Sequence, residues 1–387
     1  MNYSLSKTLH EAMRLMQTGD LHAATAAIQR GLTGADDRSA FHPGYAGSAP
    51  VKPWIDAEYR VVDVSDPEPA TEHPDLELPR EIADPTDGQF QQHSFTCAAG
   101  TRRYKLFIPK GHQDRQLPLL IMLHGCTQSP DDFARGTRMN QLAEEEGYCV
   151  AYPAQSARDN PTKCWNWFRP GDQCRDRGEP AIIAELTRHL VRAHRLDTAR
   201  VYVAGLSAGA AMAIILARTY PDIYAAVGVH SGLPYGSAHD VPSAFAAMKR
   251  GSGIPMADAD PAPQALGAVV PTIVFHGDRD VVVGAHNGDI VIAQSMASLD
   301  DSARNAESYG ADHKQVERGI VPGGYSYTRT MLQDPQGLVL AEQWLVHGAG
   351  HAWFGGDPSA SYTDPKGPNA SAEMLRFFAL HERKHGN

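Results

Sequence analysis

The sequence has few cysteines and a shortage of positive charge, and it has no long apolar run. Among its 387 residues there are five cysteines, and 35 Lys and Arg residues stand against 45 Asp and Glu, a formal net charge of −10 at pH 7. Binding to a nucleic-acid backbone requires basic surface, so this charge balance argues against nucleic acid as a partner. No run of about 18 apolar residues is present, and the sequence therefore predicts no membrane span.

The cysteines and the N-terminal residues indicate a reducing compartment. The cysteine count is odd and no C-x-x-C pair occurs, which excludes the usual zinc and dithiol patterns. Residues 1–7 lack the apolar stretch of about 7–15 residues that a secretory signal needs, so a cytoplasmic location is predicted. We expect free thiols there, although Cys164 and Cys174 are close enough in sequence for a bridge within one loop.

Three segments differ in composition. Apolar residues recur at helical spacing across residues 4–33, with a break at Gly19 and Asp20, so residues 1–33 are predicted to form a helical hairpin. Residues 34–92 contain eight prolines and are acidic after Asp56, which is typical of a linker or an irregular strap. Residues 93–387 are predicted to form the catalytic domain.

Strand-like and helix-like segments alternate after His93. The predicted strands are 103–108, 119–123, 149–152, 201–204, 225–229, 272–275 and 338–346, and the predicted helices are 181–194, 208–220 and 371–385. This alternation predicts an α/β fold with a mostly parallel central sheet covered by helices on both faces. Ligands bind such sheets at the carboxyl ends of the strands.

The segment Gly205-Leu206-Ser207-Ala208-Gly209 fits the pattern G-x-S-x-G. It follows a predicted strand and opens a predicted helix, which is the context that a nucleophile elbow requires. The glycines allow the strand and the helix to approach closely, and the strained turn exposes the hydroxyl of the central serine. Ser207 is therefore the candidate nucleophile, although Gly/Ser-rich turns are common when the pattern is considered alone.

A serine hydroxyl needs a general base, and the base needs a carboxylate to orient it. In elbow folds these residues follow in the order Ser, acid, His. Asp280, in the loop after strand 272–275, is the predicted acid, and Asp278 in the same loop is its competitor. His351, in the glycine-lined loop after strand 338–346, is the predicted base. The alternatives are His347 in the same loop, His286 and His313 in helical or irregular stretches, and His381 and His385 at the chain end.

An oxyanion intermediate needs preorganised amide donors. The amide of Ala208, directly after the candidate nucleophile, is one predicted donor, and the loop after strand 119–123 supplies the other. In that loop we assign the role to the amide of Cys126 and not to its thiol.

Two aromatic clusters occupy loops that this fold brings near the site. Core packing and a substrate wall are both compatible with such clusters, and their loop positions favour the wall. The predicted substrate-binding residues are Trp165 and Trp167 in the first cluster, with Phe168 beside them, and Trp353 and Phe354 in the second.

The last residues contain a zinc-like pattern. His381 and His385 fit H-E-x-x-H, which on a helix places two imidazoles on one face. Only two residues follow and no further ligand is available, so no metal site is predicted.

Four segments together resemble the polyhydroxybutyrate depolymerase family of α/β-hydrolase esterases: 123–128 (LHGCTQ), 164–168 (CWNWF), 205–209 (GLSAG) and 350–353 (GHAW). The resemblance covers about residues 93–387. It implies an α/β-hydrolase fold and a serine esterase that attacks 3-hydroxyalkanoate polyesters or oligomers, closest in kind to intracellular members. Because some relatives cleave feruloyl and acetyl esters, a small-ester carboxylesterase is the alternative.

The predicted mechanism is acyl transfer without a cofactor. A non-catalytic binding protein, in which the N-terminal hairpin recruits a polymer granule or another partner, is the rival from another class, and the intact Ser, Asp and His set argues against it. The oligomeric state cannot be predicted from the sequence.

Deleting residues 1–33 is expected to spare the hydrolysis of small soluble esters, because the predicted chemistry lies in residues 93–387. If the hairpin docks on polymer, the deletion lowers turnover of polymer particles alone. Initial rates on p-nitrophenyl acetate and on amorphous polyhydroxybutyrate measure both effects. An equal loss on the two substrates would mean that the hairpin supports the catalytic domain itself.

Overall fold

The computed structural model describes residues 88–111, 115–250, 270–302 and 313–383. The hairpin predicted for residues 1–33 lies outside these residues, as does most of the predicted linker, of which only residues 88–92 are described.

A ten-stranded sheet is the centre of the described part of the chain. Its strands are β1 (Gln89–Cys97), β2 (Gly100–Ile108), β3 (Leu119–Leu123), β4 (Cys149–Pro153), β5 (Val201–Leu206), β6 (Ala226–His230), β7 (Thr272–Gly277), β8 (Lys314–Ile320), β9 (Ser326–Gln333) and β10 (Val339–His347). The spatial order is β1-β2-β4-β3-β5-β6-β7-β10-β9-β8. Two short strands, β11 (Trp353–Phe354) and β12 (Thr363–Asp364), form a separate parallel pair.

The strands from β4 to β10 in this order run parallel, and antiparallel strands extend the sheet at both edges. The central strands β3, β5 and β6 are buried along their whole length. Parallel strands are covered on both faces and read as nearly continuous apolar runs, which is the pattern that predicted them. The predicted α/β class with a mostly parallel central sheet is confirmed.

Helices cover both faces of the sheet. Those in the described residues are α1 (Pro130–Thr137), α2 (Met139–Glu146), α3 (Gly178–His194), α4 (Ala208–Thr219), α5 (Val241–Arg250), α6 (His286–Ser302) and α7 (Ala370–Phe378). One hydrophobic cluster contains buried residues of α3, α4, α5 and α6, and a second contains those of α1, α2 and α7. None of the helices in the described ranges is both long and apolar enough to cross a membrane.

The strands predicted from the sequence correspond to β2 to β7 and β10, whereas β1, β8 and β9 were not predicted. Strand β8 is exposed along most of its length and therefore lacks the apolar alternation that identifies a half-buried strand. The last helix was predicted to reach His385 but ends at Phe378. After it the chain turns, and Tyr202 donates a hydrogen bond to the backbone oxygen of His381.

One buried carboxylate ties the far edge of the sheet to α7. Glu342 on β10 is fully buried and accepts hydrogen bonds from Arg329 at 3.0 and 3.1 Å. Arg376 of α7 and the indole of Trp344 donate to the same carboxylate. A buried charge with several donors is costly to disturb, because removing it leaves its cationic partners uncompensated.

We expect Glu342→Gln to lower the free energy of unfolding by about 3 kcal/mol. Glu317→Gln is the matched control, since Glu317 pairs with the same Arg329 at 3.2 Å but its side chain is 45% exposed, and the loss there is expected to stay below about 1 kcal/mol. Urea denaturation followed by circular dichroism measures both. Similar small losses in the two variants would contradict a structural role for the buried carboxylate.

Candidate active site

The turn between β5 and α4 holds Ser207 in a conformation that few residues adopt. Its φ of 57° and ψ of −120° lie outside the common regions for a non-glycine residue, and such a conformation costs about 1–3 kcal/mol. The backbone is held on both sides: the amide of Ser207 donates to the carbonyl of His230 at 2.9 Å, and its carbonyl accepts from the amide of Ala211 at 3.0 Å. The side chain therefore stands at the sheet edge, at the first turn of a helix.

Two glycines bring this turn against the end of β3. A Cβ on Gly209 would lie 2.1 Å from the carbonyl oxygen of Leu123, and a Cβ on Gly205 would lie 2.4 Å from the carbonyl carbon of Gly209. No side chain fits at either position. The next loop is also close, because a Cβ on Gly125 would lie 3.6 Å from the carbonyl oxygen of Leu206. The first turn of α4 and the loop after β3 are thus neighbours.

The predicted acid and base contact each other directly. His351 lies after β10, and its Nδ1 is 2.7 Å from Oδ2 of Asp280, which lies after β7. Both side chains are shielded, with 9% of His351 and none of Asp280 exposed. An imidazole held through Nδ1 by a carboxylate presents Nε2 as the nitrogen for proton transfer.

Further donors surround the Asp280 carboxylate. Its Oδ1 accepts the amides of Val282 and Val283 at 2.9 and 2.8 Å, and His276 lies 3.5 Å from Oδ2. Burial alone would raise the pKa of Asp280, but the hydrogen bonds from His276, His351 and Val283 outweigh it and hold the pKa well below its usual range. The carboxylate therefore contributes stability at neutral pH that is lost only as the pH falls below about 4.

The competing carboxylate belongs to a second acid–histidine pair. Asp278 lies 3.0 Å from Nδ1 of His347 and accepts the amide of Gly348 at 2.7 Å. Both side chains in this pair are more than a third exposed. Asp278 thus bonds the backbone of the loop that follows β10 and carries His347.

Within the described residues, the backbone amides of Cys126 and of the first turn of α4, Ala208 to Ala210, have no protein acceptor. In the loop after β3 the amide of Gly125 donates to Gln128 Oε1 at 2.9 Å, and that of Thr127 donates to the carbonyl of Thr162 at 2.7 Å. Neither the amide of Cys126 nor that of Ala208 donates to a described residue. These are the two amides that the sequence assigned to the oxyanion hole.

His124 sets the direction of the Cys126 amide. The backbone amide of Gln155 donates to His124 Nε2 at 3.0 Å, so the ring proton is on Nδ1, which donates to the carbonyl of Gly125 at 2.7 Å. Burial lowers the pKa of His124 to about 4, which keeps this tautomer neutral. A peptide carbonyl and the following N–H point in opposite directions. Holding the Gly125 carbonyl toward His124 therefore turns the N–H of Cys126 the other way.

The cysteine pairing differs from both sequence expectations. Cys126 and Cys164 form a disulfide, whereas Cys174 is free and exposed. The hydrogen bond from Thr127 to Thr162 brings the two loops together, so the partner of Cys164 is a neighbour across the fold and not along the chain. Disulfides persist mainly in oxidising compartments, and this one counts against the predicted cytoplasmic location.

A buried polar network supports the disulfide-linked loops. Glu179 on α3 accepts the amide of Asn166 at 2.8 Å and its side chain at 2.9 Å, and it also accepts from the side chain of Gln155. Arg102 donates to Gln155 and lies 3.6 Å from Glu179. The sequence analysis did not identify Glu179 and Gln155, since no local pattern distinguishes a polar residue that forms buried hydrogen bonds from one at the surface. His276 was also missed, although it stands four residues before the predicted acid.

The predicted substrate-wall aromatics lie inside the protein. Trp165, Trp353 and Phe354 are fully buried and Trp167 is 6% exposed. The indole of Trp165 donates to the carbonyl of His124 at 3.0 Å, and that of Trp353 donates to the Ser371 hydroxyl at 3.0 Å. Buried indoles with satisfied N–H groups are core residues, so this structure offers none of them as a surface for substrate.

The zinc-like pattern is only partly visible, because His385 lies outside the described residues. His381 is buried against the ring of Phe377, and burial lowers its pKa to about 4. In the described ranges no three His, Cys, Asp or Glu side chains are grouped so that they could hold a metal ion.

Comparison with known proteins gives a family and a fold. The family described as Esterase PHB depolymerase matches residues 102–311. Poly(3-hydroxyalkanoate) depolymerase C of Paucimonas lemoignei is 36% identical over 148 residues, 38% of this chain and 35% of that protein. Poly(3-hydroxybutyrate) depolymerase of Ralstonia pickettii is 27% identical over 280 residues, 70% of this chain and 55% of that protein. Feruloyl esterase B of Thermothelomyces thermophilus is 31% identical over 134 residues, 34% of this chain and 45% of that protein.

The chain thus spans only about a third to a half of the length of these relatives. Among solved structures, an acetyl xylan esterase from Aspergillus awamori aligns with a TM-score of 0.57 and 18% identity, over 76% of this chain and 100% of that one. At this identity the likeness concerns the fold alone, and it agrees with the α/β-hydrolase arrangement of the sheet and helices.

The two acid–histidine pairs allow a matched test. In Asp280→Asn the carboxamide oxygen can still accept the Val282 and Val283 amides, so its NH₂ faces His351 and imposes the wrong tautomer. Because a Ser-His-Asp triad with the wrong histidine tautomer loses its general base, we expect kcat for p-nitrophenyl acetate to fall about 10³–10⁴-fold. Asp278→Asn is expected to change kcat by less than about fivefold, because it alters only a half-exposed pair. Larger loss in Asp278→Asn would transfer the acid role to Asp278.

Proposed function

Because the chain belongs to the Esterase PHB depolymerase family, we propose that it hydrolyses ester bonds of 3-hydroxyalkanoate polyesters or their oligomers through a Ser207-His351-Asp280 triad. Its named relatives are depolymerases and esterases, so the reaction class is carboxylic ester hydrolysis.

The buried hydrogen bond between His351 and Asp280 is the observation that carries the proposal. It joins two loops from different strands, 71 residues apart in sequence, at the same sheet edge as the Ser207 turn. A structural histidine needs no buried carboxylate with a depressed pKa, whereas a general base needs one to select its tautomer and to stabilise the imidazolium.

Catalysis begins when His351 Nε2 takes the proton of Ser207 as its oxygen attacks the ester carbonyl. His351 then gives this proton to the departing alcohol, which leaves an acyl group on Ser207. A water molecule, deprotonated by the same imidazole, releases the acid and regenerates the serine. Ser207 and His351 share no direct hydrogen bond within the described residues, and such contacts often tighten only in the substrate complex.

The developing oxyanion is bound by the amides of Cys126 and Ala208. Both lack a protein acceptor in the described part of the chain, so neither has to break a protein hydrogen bond before reaction. Donors that are already oriented stabilise the transition state without reorganisation, and one such donor contributes about 3–4 kcal/mol.

A small-ester carboxylesterase with the same triad is the second candidate. The observation that favours it is the 31% identity to a feruloyl esterase, a value close to that of the depolymerase relatives. The two candidates differ in the substrate beyond the scissile ester and not in the chemistry. A polymer granule as the physical partner stays a prediction for residues 1–33.

Ser207→Ala is expected to fold normally and to lose ester hydrolysis by about 10⁴–10⁶-fold in kcat. Ser359→Ala, at an exposed loop position, is the control and should retain full turnover. Rates on p-nitrophenyl butyrate and the mass shift after treatment with a phosphonate ester measure the loss of the nucleophile. Retained turnover or retained labelling of Ser207→Ala would overturn the assignment.

The substrate class is decided by kcat/KM on 3-hydroxybutyrate trimer, amorphous polyhydroxybutyrate, p-nitrophenyl esters of rising acyl length and methyl ferulate. We expect the trimer to exceed methyl ferulate. The reverse order would support the small-ester candidate instead.

A further inference from the structure

The loop between β11 and β12 places one aromatic ring at the surface beside the loop that carries Cys126 and Thr127. We infer that this residue, Tyr362, is a specificity-determining residue whose ring face contacts the apolar part of the substrate beyond the scissile ester. The inference rests on the proposed function and adds to it a residue that recognises the substrate chain.

Tyr362 is exposed where the expected aromatics are not. Its exposed fraction is 46%, and no other Phe, Trp or Tyr in the described residues is comparably exposed. Trp165 and Trp353, by contrast, are fully buried. Phe168, beside Trp167, is only partly exposed, so Tyr362 is the most exposed aromatic candidate for a substrate wall in the described part of the protein.

The hydroxyl of Tyr362 contacts the residue that follows the proposed oxyanion donor Cys126. The hydroxyl of Tyr362 is 3.2 Å from Oγ1 of Thr127, which directly follows Cys126. Thr127 is itself exposed, with a positive φ of 68°. A substrate whose carbonyl oxygen binds the Cys126 amide passes beside Tyr362 if its chain extends toward Thr127.

The hydrogen bonds of the Thr127 and Tyr362 hydroxyls determine which part of Tyr362 is free to contact a ligand. The Thr127 hydroxyl donates its single proton to the carbonyl of Cys126 at 2.6 Å. At the contact with Tyr362 it can therefore only accept, so the phenol proton is donated to Thr127. With its donor occupied, Tyr362 presents mainly its ring face, which is suited to apolar contact.

The backbone of Tyr362 is held in a strained conformation. Its φ is 52°, a value that an aromatic residue rarely adopts. The carbonyl of Tyr362 accepts the amide of Trp353 at 2.7 Å, and the preceding Ser361 is held by Asp132 and by Gln128, each at 3.1 Å. Such strain persists where the surroundings enforce it, and it is concentrated at functional sites.

The acid side of the site is also apolar at its surface. Val281 and Val282, directly after Asp280, are 76% and 38% exposed. Aliphatic and aromatic surfaces match a methyl-branched polyester chain, which has no hydroxyl groups to satisfy.

The test compares Tyr362→Asn and Tyr362→Phe with the wild type on 3-hydroxybutyrate trimer and on p-nitrophenyl acetate. Asn removes the ring but tolerates a positive φ better than Tyr, so the melting temperature of this variant should stay equal or rise. We expect its kcat/KM for the trimer to fall about tenfold to hundredfold, with p-nitrophenyl acetate changed by less than about threefold. Tyr362→Phe keeps the ring and should retain trimer turnover.

Ile320→Asn is the matched control, since Ile320 is 70% exposed on the edge strand β8, and both activities should be unchanged. Three results would overturn the inference: parallel loss on both substrates in Tyr362→Asn, full trimer turnover in that variant, or equal loss in Tyr362→Phe. A wild type that hydrolyses p-nitrophenyl esters but not the trimer refutes the polyester proposal separately. The ring is then judged by the same variants on p-nitrophenyl octanoate against acetate.

Discussion

The contact between Gly209 and the carbonyl oxygen of Leu123 is the constraint on which the candidate site depends. It lets the first turn of α4 lie directly against the end of β3, at a distance that no Cβ permits. The strained backbone of Ser207 and the loop that carries Cys126 are neighbours because of this contact. A helix set further from the sheet would separate Ser207, the candidate nucleophile, from the proposed oxyanion donor Cys126, and productive geometry tolerates little displacement.

The loop after β3, which carries Cys126, is supported by buried polar groups whose desolvation costs free energy. Glu179 and Arg102 form a buried pair, and such pairs seldom add stability over apolar residues of the same size. Their contacts run through Gln155 and Asn166 to the two disulfide-linked loops. A satisfied buried network rigidifies its surroundings. Here the rigid part is the segment that holds the Gly125 carbonyl toward His124 and so turns the Cys126 amide away from it.

Burial distinguishes two acid–histidine pairs that are similar in sequence. Asp280–His351 and Asp278–His347 are each joined by a carboxylate-to-Nδ1 contact within 3.0 Å. The first pair is shielded and the second is more than a third exposed. In a low-dielectric environment a carboxylate acts more strongly on the imidazolium than it does in water. The same contact therefore suits the proposed acid–base role in the buried pair and only a local structural role in the exposed pair.

Local patterns in the sequence determined the parallel strands and the turn at Ser207, because each depends on residues adjacent along the chain. Asp280 and His351 became the candidate acid and base through their order after Ser207, and the structure places them in contact. Tertiary structure alone decided the partner of Cys126, the burial of Trp353 and the exposure of Tyr362. The disulfide joins positions 38 apart, and the Tyr362–Thr127 contact joins positions 235 apart. Such pairs depend on which loops meet at the sheet edge, and a loop's composition does not specify whether its aromatic residues pack inward or face solvent.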